Sequence, residues 1–192
     1  MAIEKAKSAD SVSAGMVAKN GFGESAKGGG VYHVECLDKD GNLKWSSKMH
    51  NLVVNTGLQD MNNKYFKGSS YTAAFYVGLI TGPAASTTYA AADTLASHAG
   101  WTEFTDYSGS RKAVTFGTPT TAAPSVIDST GSPSSFAITG TATVAGAFIC
   151  TVASGTSGIL FSEADFDSPG DRSVVSGDTL NVSYAFGLDT AS

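Results

Sequence analysis

Apolar and polar residues alternate with a period of two along several short stretches of the chain. The clearest is 178–187, in which one face carries Leu180, Val182, Tyr184 and Phe186. Residues 31–37 alternate in the same way, with Tyr32, Val34 and Cys36 on one face. Such alternation indicates a strand with one face in the core and the other in water. Further strands are predicted at 43–45, 50–55, 101–107, 111–117, 134–142, 145–152 and 158–161.

Three segments depart from this alternation. Residues 75–81 are apolar on both faces, which predicts a central strand covered on both sides. Residues 56–66 form the best helix candidate, with Leu58, Met61 and Tyr65 on one side and Asn55 or Thr56 as its cap. The stretch from Asp93 to Trp101 predicts one further helical turn, capped by the aspartate.

Many short strands separated by glycine, serine and proline favour an antiparallel β-sandwich or jelly roll. We therefore predict a mainly β body over residues 30–192, with one or two short helices. At 192 residues with 42% hydrophobic side chains, the chain suits one domain with a real core. The charged fraction of 15% and the 22 glycines fit strands and turns better than helices.

Residues 1–29 lack a sustained period and end in SAKGGG, which predicts an extended N-terminal arm or linker. Fully extended, such an arm reaches about 95 Å, far more than one domain needs internally. Residues 1–48 carry seven of the twelve basic side chains against six acids, whereas the remainder carries five against eleven. A neutral or basic arm on an acidic body suits docking on another subunit. The partner-binding candidates in the arm are Lys19, Phe22 and Lys27.

The overall charge and the termini exclude several partner classes. A net charge of −5 gives no electrostatic attraction to nucleic acid. The N-terminus has charge but no following apolar run, and no stretch approaches a membrane-spanning length, so we predict a soluble chain made in the cytoplasm, without a membrane partner. Cys36 and Cys150 are the only cysteines. One disulfide is possible, and two buried thiols are the favoured state.

Residues 98–116, HAGWTEFTDYSGSRKAVTF, contain side chains suited to acid–base or nucleophilic chemistry. Ser108 and Ser110 flank a glycine but lack a nucleophile-elbow motif. Glu103 and Asp106 would point to opposite faces of a strand. Polar residues of this kind also occur at the end of an ordinary hairpin, where Asp106 and Arg111 are predicted to pair. We therefore predict no catalytic residue and no enzyme activity.

Cofactor motifs are equally weak. GFGESA at 21–26 matches a dinucleotide fingerprint, but no strand precedes it and no helix follows. The three histidines, His33, His50 and His98, lie far apart in the sequence. The acidic run SEADFDSPGDR, residues 162–172, reads as a solvated loop. Its alternative is a calcium ion held by Asp165, Asp167 and Asp171, although Pro169 interrupts the EF-hand pattern. We predict no cofactor and no metal, with calcium as the alternative.

Five sequence blocks together carry a resemblance to a known group of proteins. They are NLVVNTGLQDMNNKYF, FYVGLI, ADTLASHAGWTEFTDYSGSRKAVTF, SGILFSEADF and VSGDTLNVSYAF, which fall within residues 50–187. The most telling part is the HAGWTE…Y…R block with the FAITGTATVAGAFI pair of strands. In these blocks the chain resembles structural proteins of tailed-bacteriophage virions, and is similar to capsid decoration (cement) proteins.

The resemblance implies a non-enzymatic protein made in the host cytoplasm and located on the capsid surface of the virion. Its implied partners are the major capsid protein and copies of itself, as a homotrimer by analogy. Two alternatives stay open. One is a tail, neck or fibre-associated virion protein. The other is a carbohydrate-binding β-sandwich, which would require exposed, coplanar aromatic rings among Trp45, Trp101 and Tyr107.

Overall fold

The structure is a computed structural model that describes residues 26–70, 73–81, 88–166 and 170–190. In these residues it has one helix, α1 (Asn55–Tyr65), and thirteen strands. The strands are β1 (Ala26–Leu37), β2 (Leu43–His50), β3 (Leu52–Val53), β4 (Tyr76–Thr81), β5 (Thr102–Phe104), β6 (Lys112–Ala113), β7 (Ser125–Asp128), β8 (Ser134–Ala137), β9 (Ala142–Val144), β10 (Gly146–Cys150), β11 (Leu160–Asp165), β12 (Arg172–Val174) and β13 (Thr179–Thr190).

The strands form two main antiparallel sheets that pack face to face, which confirms the predicted mainly β sandwich. Sheet A has the order β2-β1-β13-β7, with β8 also paired to β13. Sheet B has the order β3-β11-β10-β4-β5, with β6 also paired to β4. A small ribbon of β9 and β12 completes the described strands.

Sheet A follows the alternation in the sequence. Strand β13 pairs with β1 along its whole length, and both strands direct their apolar residues to the same side. The buried set on this inner face comprises Tyr32, Val34, Cys36, Leu180, Val182, Tyr184 and Phe186. The strands predicted at 31–37 and 178–187 are therefore confirmed, and their apolar faces supply half of the sandwich core.

Sheet B is buried on both faces, as predicted for residues 75–81. On β4, Val77 and Leu79 belong to the core shared with sheet A, whereas Ile80 belongs to a second apolar cluster on the opposite face. We call that opposite side the outer face of sheet B. A strand covered on both sides needs a second layer over it, and residues 88–101, the covering loop, supply part of this layer.

The glycine run before Val31 is part of the body and not of the arm. Strand β1 begins at Ala26, and residues 26–30 pair with residues 186–190 of β13. A Cβ atom on Gly30 would lie 2.5 Å from the Tyr184 hydroxyl, so the close approach of these strands requires glycine there. The predicted boundary at residue 29 is therefore wrong, because these glycines allow close strand packing and do not form a linker.

Helix α1 lies beside β11 and begins without the predicted side-chain cap. Its N-cap residue is Val54, and no side chain caps the first turn. Thr56 instead donates its hydroxyl hydrogen to the Leu160 carbonyl oxygen, at 2.9 Å. A Cβ atom on Gly57 would lie 2.4 Å from the Phe161 carbonyl oxygen, so glycine lets the helix approach the strand. Tyr65, predicted on the apolar side, is 83% exposed.

Other predicted elements differ in detail. Residues 93–98 form hydrogen-bonded turns and no helical turn, since Thr94 and Ser97 exchange backbone hydrogen bonds. Only Lys112–Ala113 of the predicted strand at 111–117 pairs in a sheet. The strand predicted at 158–161 continues to Asp165, so the acidic run begins inside a buried strand. Cys36 and Cys150 are both buried and free, as favoured.

Candidate functional site

The residues singled out at 98–116 cover the outer face of sheet B. Strand β5 adds Glu103 and Phe104 to the edge of this sheet, beside β4. The chain then turns at residues 105–110 and returns with Arg111, whose side chain lies over Phe148 on β10. The covering loop reaches the same face from the other direction through Leu95 and Trp101. Polar and aromatic groups of this block are thus brought together on one surface.

Arg111 clamps this layer to the sheet. Its guanidinium donates to both carboxylate oxygens of Glu103, at 2.8 and 2.7 Å. Its Nη1 also donates to the carbonyl oxygens of Val152 and Gly155, at 3.2 and 2.9 Å. The arginine is 6% exposed, and its planar, bidentate pairing fixes the return of the hairpin onto β10.

The ion pair differs from the one predicted from the sequence. Arg111 pairs with Glu103 and not with Asp106, whose side chain is exposed. Glu103 is close because β5 runs along β4, next to the strand that Arg111 crosses. Asp106 lies beyond the end of β5, where its carbonyl oxygen accepts a hydrogen bond from the Thr139 N–H.

Trp101 is the anchor of the covering loop. Its side chain is 5% exposed, and its ring lies 5.0 Å from that of Phe148. His98 stacks on it in nearly parallel planes, with ring centroids 3.6 Å apart and an interplanar angle of 11°. The indole Nε1 donates to Glu163 Oε2 at 2.8 Å. The tryptophan therefore joins the covering loop to the middle of β11.

Glu163 is a fully buried acid without a basic partner. It is 0% exposed, and within the described residues its Oε1 atom has no hydrogen-bond partner. Burial raises the pKa of Glu163 from 4.5 to about 8, the Trp101 hydrogen bond lowers it, and the neighbouring Asp93 carboxyl raises it further. The side chain lies beside Phe148, because Glu163 and Phe148 are paired across β11 and β10.

More acidic groups surround this glutamate. Asp165 lies two residues further along β11, on the same face, and pairs with Gly146 of β10. The Tyr89 hydroxyl lies over this glycine, 3.1 Å from where its Cβ atom would be. Burial raises the pKa of Tyr89 far above its ordinary value, and the carboxylates of Asp165, Glu163 and Asp171 add to that rise. We call Tyr89, Asp93, Glu163, Asp165 and Asp171 the acidic cluster.

The structure describes two of the three residues that were predicted as calcium ligands. Asp165 ends β11 and Asp171 precedes β12, and both lie near the Tyr89 hydroxyl, whose pKa their charges raise. Asp167 lies outside the described residues. Within the described ranges, no group of three histidine, cysteine, aspartate or glutamate side chains already converges to hold a metal ion. The sequence missed Tyr89 and Asp93, which belong to the covering loop and reach the cluster only through the fold.

The remaining sequence candidates do not come together. His33 lies on β1 and His50 on β2 of sheet A, whereas His98 lies in the covering loop over sheet B. Ser108 and Ser110 are exposed, and no hydrogen bond among the described residues joins either side chain to His98. The arrangement of these groups therefore does not form a nucleophile–base pair.

The partner-binding candidates of the arm are only partly placed. Lys19 and Phe22 lie outside the described residues, as does most of GFGESA. Lys27 is exposed on β1, opposite Asp189, and its binding of a partner stays a prediction. The sequence did not single out Tyr65 and Phe66 as surface residues, although they are 83% and 80% exposed at the end of α1.

No protein-family model, no curated protein and no solved structure matches the chain. In the described part of the chain, no helix is long and apolar enough to cross a membrane.

Proposed function

We propose that the chain is a non-enzymatic structural protein of a tailed-phage virion, a decoration protein that binds the major capsid protein lattice and stabilises the shell. One observation carries the proposal. In the most telling sequence block, 98–116, the side chains that look chemical are engaged in internal packing. Arg111 and Glu103 hold the hairpin, and Trp101 with His98 anchors the covering loop. A block used in this way supports a rigid body and not a reaction.

The arm gives this body a second point of attachment. Its root is fixed, because Ala26 pairs with Thr190 at one end of sheet A. A tethered second contact acts at a high effective concentration and raises avidity beyond that of either contact alone. Stable attachment to a shell through several weak contacts is what a decoration protein requires. The acidic body also has no attraction to packaged DNA.

Tyr65 and Phe66 supply an exposed aromatic contact on the body itself. Their rings meet edge to face with centroids 4.9 Å apart, and both are largely in water. Aromatic side chains of this kind are frequent anchors of protein interfaces. We propose that this pair contacts the capsid lattice or a second copy of the chain in a homotrimer.

The carbohydrate-binding alternative required exposed, coplanar rings among three aromatic residues. Trp101 and Tyr107 are 5% and 7% exposed, and Trp45 packs edge to face on Phe166. Two of the three rings are therefore buried and the third is half-buried, which supports a decoration protein over a sugar-binding module. No observation favours a tail, neck or fibre location over the capsid lattice.

The location of the chain in an assembled virion tests the proposal. Gold-labelled antibody against the chain should mark the whole capsid surface, in many copies, and the purified chain should sediment as a trimer. Labelling at one vertex or along the tail would favour the tail or neck alternative. Absence from purified virions would overturn the proposal.

The arm is tested separately by comparing the full chain with residues 26–192 on undecorated capsids. The cut precedes β1, so the paired glycines remain in place. We expect both proteins to melt at similar temperatures, and the truncated one to occupy fewer sites at the same concentration. Equal occupancy would exclude an attachment role for the arm.

A further inference from the structure

The acidic cluster gathers oxygen atoms from three parts of the chain on the outer face of sheet B. Glu163 and Asp165 come from one strand, β11. Tyr89 and Asp93 come from the covering loop, where the Asp93 Oδ2 accepts the Ala90 N–H at 3.1 Å. Asp171 comes from the segment before β12, whose Arg172 pairs with Val144 next to this site. A single ligand could therefore join the covering loop to β11 and to the segment that follows β11 in the sequence.

The cluster contains buried oxygen atoms that need a positive partner. Glu163 Oε1, the Tyr89 hydroxyl oxygen and Asp171 Oδ2 are buried and have no hydrogen-bond partner among the described residues. Glu163 is 0% exposed, and the Asp93 carboxyl lies close enough to interact with its side chain. Leaving buried polar atoms without partners is costly, and an unpaired buried charge is more costly still.

Two other acids in the described residues, one buried and one half-buried, have a base beside them. Asp178 is 2% exposed and accepts from Lys44 Nζ at 2.5 Å. Both carboxylate oxygens of Glu103 accept hydrogen bonds from the Arg111 guanidinium. In the described part of the chain, no lysine or arginine forms an ion pair with Glu163, Asp93 or Asp171. Lysine and arginine thus neutralise Asp178 and Glu103 within the chain, whereas the described residues offer Glu163, Asp93 and Asp171 no such ion pair.

We propose that the acidic cluster binds a divalent cation of the calcium class, with Glu163 Oε1 and the Asp93 carboxylate as its primary protein ligands. The ligand chemistry selects the ion, because the cluster contains only oxygen donors and no imidazole or thiol. Asp165 and Asp171 add negative charge around the ion, and the Tyr89 hydroxyl donates to a water bound to it. The proposal is independent of the location of the chain in a virion.

Calcium also fits the incomplete convergence of the side chains. No three acidic side chains of the described residues already form one coordination shell. Calcium accepts six to eight oxygens in flexible geometry, including water and carbonyl oxygens. Two protein carboxylates with bound water therefore suffice, whereas the strict octahedron of magnesium fits less well. The bound ion would hold the covering loop against β11.

Trp101 provides a direct spectroscopic test of the site. Its Nε1 is bonded to the same carboxylate that is proposed to bind the ion. Terbium, which takes calcium sites, emits when an adjacent tryptophan transfers energy to it. We expect the full chain to sensitise terbium emission when it is excited at the red edge of tryptophan absorption. Added calcium should reduce this emission because it displaces terbium from the site. Trp101→Phe should lose the emission, whereas Trp45→Phe should keep it.

Thermal unfolding of the full chain gives the second readout, with calcium chloride or a chelator. Calcium at about 100 times its dissociation constant should raise the melting temperature by about 5–10 °C. Glu163→Gln keeps the shape and the Trp101 contact but removes the charge, so it should abolish the shift. Asp189→Asn, an exposed aspartate on β13, is the matched control and should retain it.

Both readouts can overturn the inference. A wild-type melting temperature that calcium does not change, together with no sensitised terbium emission, would mean that a shared proton, and not a cation, neutralises Glu163 and Asp93. A shift that Glu163→Gln retains would place the ion elsewhere. If Glu163→Gln fails to fold, Asp93→Asn tests the same carboxylate pair from the covering loop.

Discussion

Two glutamates on the outer face of sheet B differ in the groups that surround their carboxylates. Glu103, at the edge, is held by both sides of the Arg111 guanidinium. Glu163, in the middle, receives one hydrogen bond from a neutral indole and faces further carboxyl groups. The two regions share one neighbour, because Phe148 contacts both the Arg111 guanidinium and the Trp101 ring.

The carboxylate of Glu103 is neutralised within the chain, whereas the carboxyl of Glu163 needs a proton or a cation from solution. A bidentate pair with extra carbonyl contacts satisfies the charges of Arg111 and Glu103 inside the chain. A buried carboxyl without a base stays neutral by keeping a proton, or it binds a cation. The ion pair at the edge therefore stabilises the fold, whereas the contribution of Glu163 to stability depends on pH and on bound cations.

The largest expected effect is the pH dependence of the middle region. The pKa of Glu163 is raised in the folded protein from 4.5 to about 8, so this carboxyl costs no stability below pH 4.5. As the pH rises from 4.5 towards 8, the unfolded chain loses this proton while the folded chain keeps it. Stability should then fall by about 1.4 kcal/mol for each pH unit. Urea unfolding in chelator measures this slope.

Glu163→Gln should remove that contribution and become more stable than the wild type at pH 8. The other groups that face the site, Asp93, Asp165, Asp171 and Tyr89, stay in place in this variant. The comparison is therefore made as a difference between the two proteins at each pH. Parallel stability curves for them would contradict the assignment of the pH dependence to Glu163.

The next effect is the loss of the edge clamp. Arg111→Met keeps an apolar stem over Phe148 but leaves Glu103 and two carbonyl oxygens without their donor. We expect a loss of about 2–4 kcal/mol in the free energy of unfolding, reduced by the partial exposure of Glu103. Glu103→Gln alone should cost less, because a neutral amide can still accept one hydrogen bond. A double-mutant cycle of these two variants measures their coupling.

If Arg111→Met unfolds no more easily than the wild type, the clamp is not a stabilising feature. Asp106→Asn is the matched control, since the sequence predicted this aspartate as the partner. Its side chain is exposed and forms no ion pair with Arg111. It should therefore leave the unfolding free energy within about 0.5 kcal/mol of the wild type.

The sequence predicted the sandwich because its signal is local. Strict alternation in residues 178–187 has one physical solution, a strand with one buried face, and β13 adopts it. The doubly covered strand β4 was also predictable, since only burial on both faces explains its unbroken apolar run. Element boundaries were less predictable where glycine serves close packing, as at Gly30 and Gly57.

The candidate site was not predictable in the same way. The acidic run from residue 162 was predicted to be a solvated loop, but residues 162–165 continue strand β11 and place Glu163 and Asp165 on one face. Nothing local indicates that a loop from residues 88–101 covers this face and removes it from water. The predicted partner of Arg111 was wrong for a related reason: proximity along the chain favoured Asp106, whereas pairing of β5 with β4 selects Glu103.

Gly78 lies against the ring of Phe148, which contacts both Arg111 and Trp101. A Cβ atom on Gly78 would lie 2.2 Å from Cζ of Phe148, so Gly78→Ala must displace a ring that both regions contact. We expect a loss of about 1–3 kcal/mol in stability and a weaker coupling between Arg111 and Glu103. Gly29→Ala on β1 is the control, because no atom lies within 4 Å of its added methyl group.

The smallest effect is expected at His98, which stacks on Trp101, the anchor of the covering loop. His98→Ala removes a stacked ring and the contact of Nδ1 with the Trp101 carbonyl oxygen, at 3.1 Å. Such a pair contributes about 0.5–1.5 kcal/mol, so the covering loop should open more often without global unfolding. In a Trp45→Phe background, the single remaining indole should become more accessible to a fluorescence quencher. His50→Ala, on exposed β2, should leave quenching unchanged, and equal quenching in both variants would show that His98 does not hold the loop.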